Sequence, residues 1–348
     1  MFYARHRRLL LASLAGGALI AAVVPALPAR ANDTSAQLAA GGLEFVQNND
    51  VEMLSEDLFI SAAEVRVRYV FRNRAKQDVT TLVAFPMPDI TITEASNLAI
   101  PVEDDVNFLK FRTVINGKPV TADIQQRALA VGVDRSALLR DLKVPLAPQL
   151  PSTQAALDAL PKDKWDELIK LGLARSEEYD VGTGMKAHLQ SLWTLQTTYY
   201  WLQTFPAGAE TIVEHSYMPS VGMSVGTIVG MPTHGDAFLD KEQKSYSERY
   251  CIEPSFAATA QAAWKKAGTD HIAFSDQRIS YILKTGSNWA GPIARFKLTV
   301  DKGAPGNLVS FCGTNVKKVS PTRFEMTTTD FFPQQDLNII ILVPHAKK

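Results

Sequence analysis

Residues 65 to 90 read "VRVRYVFRNRAKQDVTTLVAFPMPDI". Val65, Val67, Tyr69 and Phe71 fall on one side of an extended chain, and Arg66, Arg68 and Arg72 on the other. Side chains alternate with a period of two in a strand, so this is a strand with one apolar and one charged face. The polar run Asn73–Asp78 is a turn signal. Val79–Phe85 alternates again, and Pro86 and Pro88 stop it, because proline cannot donate to a sheet ladder.

Outward from this stretch the same grammar repeats. Leu43–Gln47 alternates, Asn48, Asn49 and Asp50 turn the chain, and Val51–Ile60 is expected to return as the second arm of a hairpin. Phe108–Ile115 ends at Asn116-Gly117, a strong turn dipeptide. Further on, Trp193, Leu195, Thr197, Tyr199, Trp201, Gln203 and Phe205 share one face. Pro206-Ala-Gly208 then turns the chain into Glu210–Met218, which predicts a long hairpin with aromatic cross-strand pairs. Phe-Pro recurs at 85–86, 205–206 and 332–333, at or near strand ends. Short strands separated by turn signals indicate an antiparallel sandwich or barrel.

The period changes near Ala122. Asp123–Leu142 reads as helical with a break at Gly132, and Asp134 is a candidate cap. A connector with Pro145, Pro148 and Pro151 leads to a short helix capped by Ser152 and an amphipathic helix from Pro161 to Leu171. Lys241–Tyr250 and Pro254–Lys266 also read as helices. The expected fold is β-rich α+β: antiparallel β-sandwich units with a helical insertion. The expected division is 32–122 as an N-terminal β-sandwich, 123–185 as the helical insertion, and 186–348 as a C-terminal β-rich unit with helices.

Residues 1–31 are set apart from the fold. Arg5, Arg7 and Arg8 precede an apolar run, and the segment ends in an Ala-x-Ala pattern at Ala31. These are the marks of a secretory signal peptide cleaved after Ala31. Against the alternative of an uncleaved anchor, the run is short and Gly16-Gly17 interrupts it. Arg7-Arg8 leaves the Sec and twin-arginine export routes both open. The remaining chain carries 32 basic and 36 acidic residues, a net charge of −4. That balance gives no basic excess for nucleic acid, and no later apolar run is long enough to span a membrane. Export implies a periplasmic location.

The two cysteines, Cys251 and Cys312, are expected to form one disulfide in an exported chain. A metal pair or a reactive thiol is the alternative, but neither C-x-x-C nor a histidine-rich spacing accompanies them. No phosphate-binding loop, G-x-S-x-G or H-E-x-x-H occurs, and no cofactor is expected.

Five groups of polar or aromatic residues remain as candidates. His234 and Asp236, in a glycine-containing loop, either form a solvated turn or are the catalytic or metal candidates, since a carboxylate can orient an imidazole. His215 lies in an expected strand, where it serves as a hydrogen-bonded face residue or a site. Glu52, Glu56 and Asp57 form an acidic stretch that lacks the spacing of a calcium loop and reads as a solvated edge. Arg66, Arg68 and Arg72 either contact an anionic lipid or glycan or guard an edge strand against aggregation. Trp193, Tyr199 and Trp201 either stack on a sugar or pack the core.

Four segments, "GGLEFVQNNDVEMLSEDLFIS", "VRYVFRNRAKQDVTTLVAFPMPDI", "YYWLQTFPAGAETIVEHSYMP" and "SFCGTNVKKVSPTRFEM", resemble an uncharacterised secreted bacterial family, domain of unknown function family 4424. The resemblance covers almost the whole mature chain. It implies an exported protein of Gram-negative bacteria and supplies no reaction. The N-terminal part is also similar to the vault/inter-alpha-trypsin inhibitor domain, through Phe71-Arg72-Asn73, Phe85-Pro86-Met87-Pro88 and Ile115–Val120. That similarity implies a β-sandwich over about residues 55 to 130. The D-x-S-x-S metal motif of the domain that often follows it is missing. Two functions fit these readings: a non-enzymatic binding protein whose partner is an unknown envelope protein or polymer, or a hydrolase of an envelope substrate built on a His/Asp pair.

Overall fold

A computed structural model describes residues 32–39, 42–92, 97–99, 101–180, 182, 184–268 and 271–345. The expected signal peptide, 1–31, lies outside the described residues. In chain order the first strands are β1 (Thr34–Ala39), β2 (Gly42–Val46), β3 (Val51–Ser61), β4 (Val65–Asn73), β5 (Val79–Pro86), β6 (Ile90–Thr91) and β7 (Asn97–Ala99). Next come β8 (Arg112–Ile115), β9 (Lys118–Val120), β10 (Asp123–Ala130) and β11 (Val133–Asp134). Three helices follow: α1 (Ser136–Asp141), α2 (Pro151–Asp158) and α3 (Lys162–Lys170). Then come β12 (Ala174–Asp180), β13 (Met185–Ser191), β14 (Thr194–Phe205), β15 (Glu210–Tyr217) and β16 (Val221–Ser224). Helices α4 (Ala237–Tyr250) and α5 (Pro254–Ala267) precede β17 (Phe274–Tyr281) and a 3-10 turn, Lys284–Asn288. The last strands are β18 (Ile293–Asp301), β19 (Leu308–Phe311), β20 (Lys317–Lys318), β21 (Arg323–Phe331) and β22 (Leu337–Pro344).

The β-rich α+β expectation is borne out. One sheet runs β11-β10-β14-β5-β1-β2, with β6 also on β14. An eight-stranded sheet runs β20-β21-β18-β3-β4-β15-β8-β9. A third runs β19-β22-β17-β16-β7, and β12 pairs with β13 alone. Among the described residues only β3 and β18 pair in parallel; the other ladders are antiparallel.

The alternation in the opening stretch is real, but its strands part company. β4 lies in the middle of the eight-stranded sheet, between β3 and β15. β5 lies in the opposite sheet, between β14 and β1. The polar turn between them therefore carries the chain across the sandwich. The expected hairpin of Leu43–Gln47 with Val51–Ile60 does not form: β2 pairs with β1, and β3 with β4 and β18. The long hairpin expected across Pro206-Ala-Gly208 does not form either, because β14 and β15 belong to facing sheets. Their apolar faces still meet, through the core instead of along a ladder. Phe71 of β4 packs edge-on to Phe205 of β14, and Trp201 of β14 packs against His215 of β15. Packing two inner faces of alternating strands against each other is what makes a sandwich core.

The segment expected to be helical from 123 begins as strand. Asp123–Ala130 pairs with β14 over seven residues. The helices occupy 136–170, and β12 and β13 close the segment as a hairpin. Strands from 32–122 and 186–348 are also interleaved, as β3 beside β18 and β5 beside β14 show. The two expected β units thus share sheets.

The core unites all three large sheets. Phe85, fully buried at the end of β5, touches Phe111, His215, Tyr217 and Tyr281. Trp193, Tyr199 and Trp201 are buried core residues. Phe205 is buried like Phe85, whereas Phe332 is half exposed. Cys251 and Cys312 form a disulfide that ties the end of α4 to the end of β19.

Two stability measurements follow from this architecture. Phe85→Ala is expected to lower unfolding free energy by about 3–5 kcal/mol in urea titration, the cost of an unfilled aromatic site. The double substitution Cys251→Ala, Cys312→Ala opens a closed loop with a sequence separation of 61 residues. It should cost roughly 2–5 kcal/mol, and thiol labelling of denatured native-sequence protein should find no free cysteine.

Candidate functional site

The eight-stranded sheet has two chemically different faces, and each carries a cluster of polar residues. The outer face is a trough of about 480 Å³ over β3, β4, β15, β8, β18 and β21. Its cations are Arg66, Arg68, Arg112, Lys297 and Arg323, and its acids are Asp57, Glu214 and Glu325. The period of two explains the assembly, since each outward residue of β4 is matched by outward residues of its neighbours. Arg68 is 3.8 Å from Glu214 across the β4–β15 ladder. Lys297 is 3.2 Å from Glu325 across the β18–β21 ladder. Arg66 and Arg323 both lie over the ring of Phe59, at 4.6 and 5.7 Å. Among the described residues Arg112 makes no ion pair.

This placement corrects the edge-strand reading of the arginines. β4 is central, so Arg66 and Arg68 guard no edge. Arg72 is separate from them: its Nε donates to Glu52 at 2.7 Å. Apart from the Phe59 ring, the long cations of this outer face meet acids, water and ligands, and surface ion pairs of this kind contribute little to stability.

The inner cluster is sealed. His215 Nε2 lies 3.0 Å from Asp33 Oδ1, and both side chains are 0% exposed. His215 Nδ1 lies 3.1 Å from the Thr113 hydroxyl. Tyr69, Phe85, Phe111 and Trp201 surround the imidazole. Glu56 sits nearby, 1% exposed, and accepts from Asn32 Nδ2 at 3.0 Å. The Tyr69 and Tyr281 hydroxyls are 3.0 Å apart. Burial raises the Asp33 carboxyl, although His215 opposes the shift. Burial pushes the Glu56 carboxyl up to about 8, with the Asn32 hydrogen bond opposing and Asp33 adding to the shift. Carboxylate, imidazole and hydroxyl in a row is the order of a hydrolase relay. Here the row is closed off by aromatic rings, and its threonine is only 3% exposed.

Glu56 was expected on a solvated edge with Glu52 and Asp57. A bulge between Met53 and Ser55 shifts the phase of β3, so Ser55, Glu56 and Leu58 are buried while Asp57 remains outside. A bulge adds a residue without leaving a compositional mark, so simple alternation misses it. Asp33 was also missed, because a polar residue just after an expected cleavage site carries no core signal.

The pair proposed from sequence is not brought together as a site. Asp236 is the N-cap of α4, and its carboxylate accepts from the backbone N–H of Phe238 and Leu239 at 2.8 and 3.1 Å. His234 is exposed in the preceding turn, with a φ of 51°. Among the described residues no hydrogen bond or ion pair joins them. Among the described residues the His–Asp pairs are His215–Asp33 and His188–Asp158, the latter at 2.8 Å with Tyr179 stacked on the imidazole. Among the described residues no group of three or more His, Cys, Asp or Glu is arranged to hold a metal. No described helix is long and apolar enough to cross a membrane.

Fold and site together define a β-rich α+β protein with a sealed acidic core and an open, mainly cationic sheet face. The chain belongs to the family described as Domain of unknown function (DUF4424), whose model matches residues 31–340. Among solved structures it is similar to a Legionella pneumophila chain described as "a putative nutrient binding protein". The identity is 16% and the TM-score 0.44, over 90% of this chain and 70% of that one. No curated protein matches.

The capping role of Asp236 is directly measurable. Asp236→Ala should lower stability by about 1 kcal/mol, and Asp236→Asn, which still caps, by much less. Equal losses in the two variants would contradict capping.

Proposed function

We propose that this chain is an exported, periplasmic binding protein without catalytic activity, and that its outer sheet face receives the anionic groups of an envelope partner. The observation that carries the reading is the trough itself, lined by five cations and three acids, in which Arg66 also lies 3.1 Å from Glu64 and Arg323 3.0 Å from Asp301, so that among the described residues Arg112 is the lining cation without an ion pair. A fixed cation without an acidic partner on an open sheet face favours anions at that face and helps set their orientation on approach. Arg112 is the strongest single contact, since among the described residues no acid lies within ion-pair distance of it. The planar guanidinium groups of Arg66, Arg68 and Arg112 suit bidentate recognition of carboxylate or phosphate. Among the described residues the second reading, a hydrolase, is the weaker one: the acid–imidazole–hydroxyl row at His215 is sealed, His234 and Asp236 stand apart, and in the part-buried His188–Asp158 pair the second imidazole nitrogen is buried.

The test is calorimetric titration of the mature protein with two anionic probes, an oligouronate and an oligoglutamate. Binding of at least one is expected, weakening with added salt. The triple substitution Arg66→Gln, Arg68→Gln, Arg112→Gln should weaken it by about tenfold or more while leaving the unfolding midpoint near that of the parent. Binding that ignores these substitutions, or none to either probe, overturns the proposal.

A further inference from the structure

The residues that follow Ala31 are built into the core. Asn32 and Asp33 are 0% exposed. The segment 283–289 is wrapped around them. The Thr285 hydroxyl donates to the Asn32 carbonyl at 2.7 Å, and Trp289 Nε1 donates to the Asp33 carbonyl at 2.6 Å. Asn288 Nδ2 donates to Thr34 Oγ1 at 2.8 Å. Gly286 approaches so closely that a Cβ there would lie 2.6 Å from Asn32 Nδ2. Two carboxylates meet at this clamp, and each has an oxygen without a hydrogen-bond partner: Glu56 Oε1 and Asp33 Oδ2. Asn32 Oδ1 is likewise buried without a partner. A buried carboxylate oxygen without a donor is costly, and a nearby positive charge with spare N–H groups is what removes that cost. No lysine or arginine contacts Glu56 or Asp33 among the described residues.

We propose that the α-amino group of Asn32, set free by processing after Ala31, is the cation of this buried carboxylate site. The proposal rests on the export reading above. Processing there creates an ammonium group with three donors on the residue whose side chain already touches Glu56. Covalent geometry keeps that nitrogen within about 5 Å of the side-chain amide that contacts Glu56 Oε2. Asp33 is engaged on one oxygen by His215, so Glu56 is the principal acceptor and the free Asp33 oxygen the second. A new amino terminus needs no exit path from a fully buried position, whereas an upstream residue does. Burial alone drives Glu56 toward its neutral form, and an adjacent ammonium returns it to the ionised one. Removal of the leader then completes the core of the exported form.

The experiment compares two full-length mature chains, one starting at Asn32 and one carrying Ala31 in front of it, each with Glu56 and with Glu56→Gln. Urea unfolding should give the chain starting at Asn32 a folding equilibrium constant higher by about tenfold or more than the extended chain. That difference should shrink to near unity in the Glu56→Gln pair. Equal midpoints for the two Glu56 chains, or an undiminished difference with Gln, overturn the proposal. Should Glu56→Gln fail to fold, amine-reactive labelling decides. The Asn32 amino group should be protected about tenfold in the native chain relative to the urea-unfolded one, with surface lysines as internal reference; labelling at the unfolded rate overturns it. N-terminal sequencing of the exported protein tests the processing reading separately. A start other than Asn32 defeats that reading, while the stability pair still decides the amino-group site.

Discussion

The Asp33–His215 contact is the constraint on which much of this molecule hangs. Both side chains are wholly removed from water. Burying two ionisable groups costs several kcal/mol per charge unless geometry and hydrogen bonds compensate. The pair therefore fixes its surroundings. β15 must present His215 inward, β8 must supply Thr113, and the chain at 32–34 must enter between the sheets. The turn at 283–289 must close over that entry, which it does through Thr285, Asn288 and Trp289. Aromatic rings from all three large sheets or their edges then exclude water: Tyr69, Phe85, Phe111, Trp201 and Tyr281.

The same strands divide the labour between their faces. Inward residues of β4 and β15 hold the sealed cluster, and outward residues of those strands hold the cationic trough. The packed inner side thereby holds the outward side chains of these central strands at fixed spacing. The groups of the trough are spread along ladders and do not converge on one atom.

Much of this was legible in the sequence, and the failures have physical causes. Alternation located β4 and β14 and named their buried residues, because one buried face leaves a period of two. It did not name their partners. The turn Pro206-Ala-Gly208 reads alike whether the chain returns along the same sheet or crosses to the facing one. Asp123–Ala130 is rich in Gln, Arg, Ala and Leu, good helix formers, and the ladder with β14 overrides that weak preference. The site was harder to find. His234 and Asp236 looked like chemistry because they are polar and adjacent, and one of them is a helix cap. Glu56 looked like surface because its burial depends on a bulge. Asp33 and His215 are 182 residues apart, and only the fold brings them together.

The central claim is that the acidic core is completed by the amino group at Asn32. Carboxyl-selective NMR titration of Glu56 tests it most directly. In the chain starting at Asn32, Glu56 should be ionised throughout the neutral range. In the chain extended by Ala31 it should stay protonated until the pH approaches about 8. Identical titrations in the two chains would contradict the account.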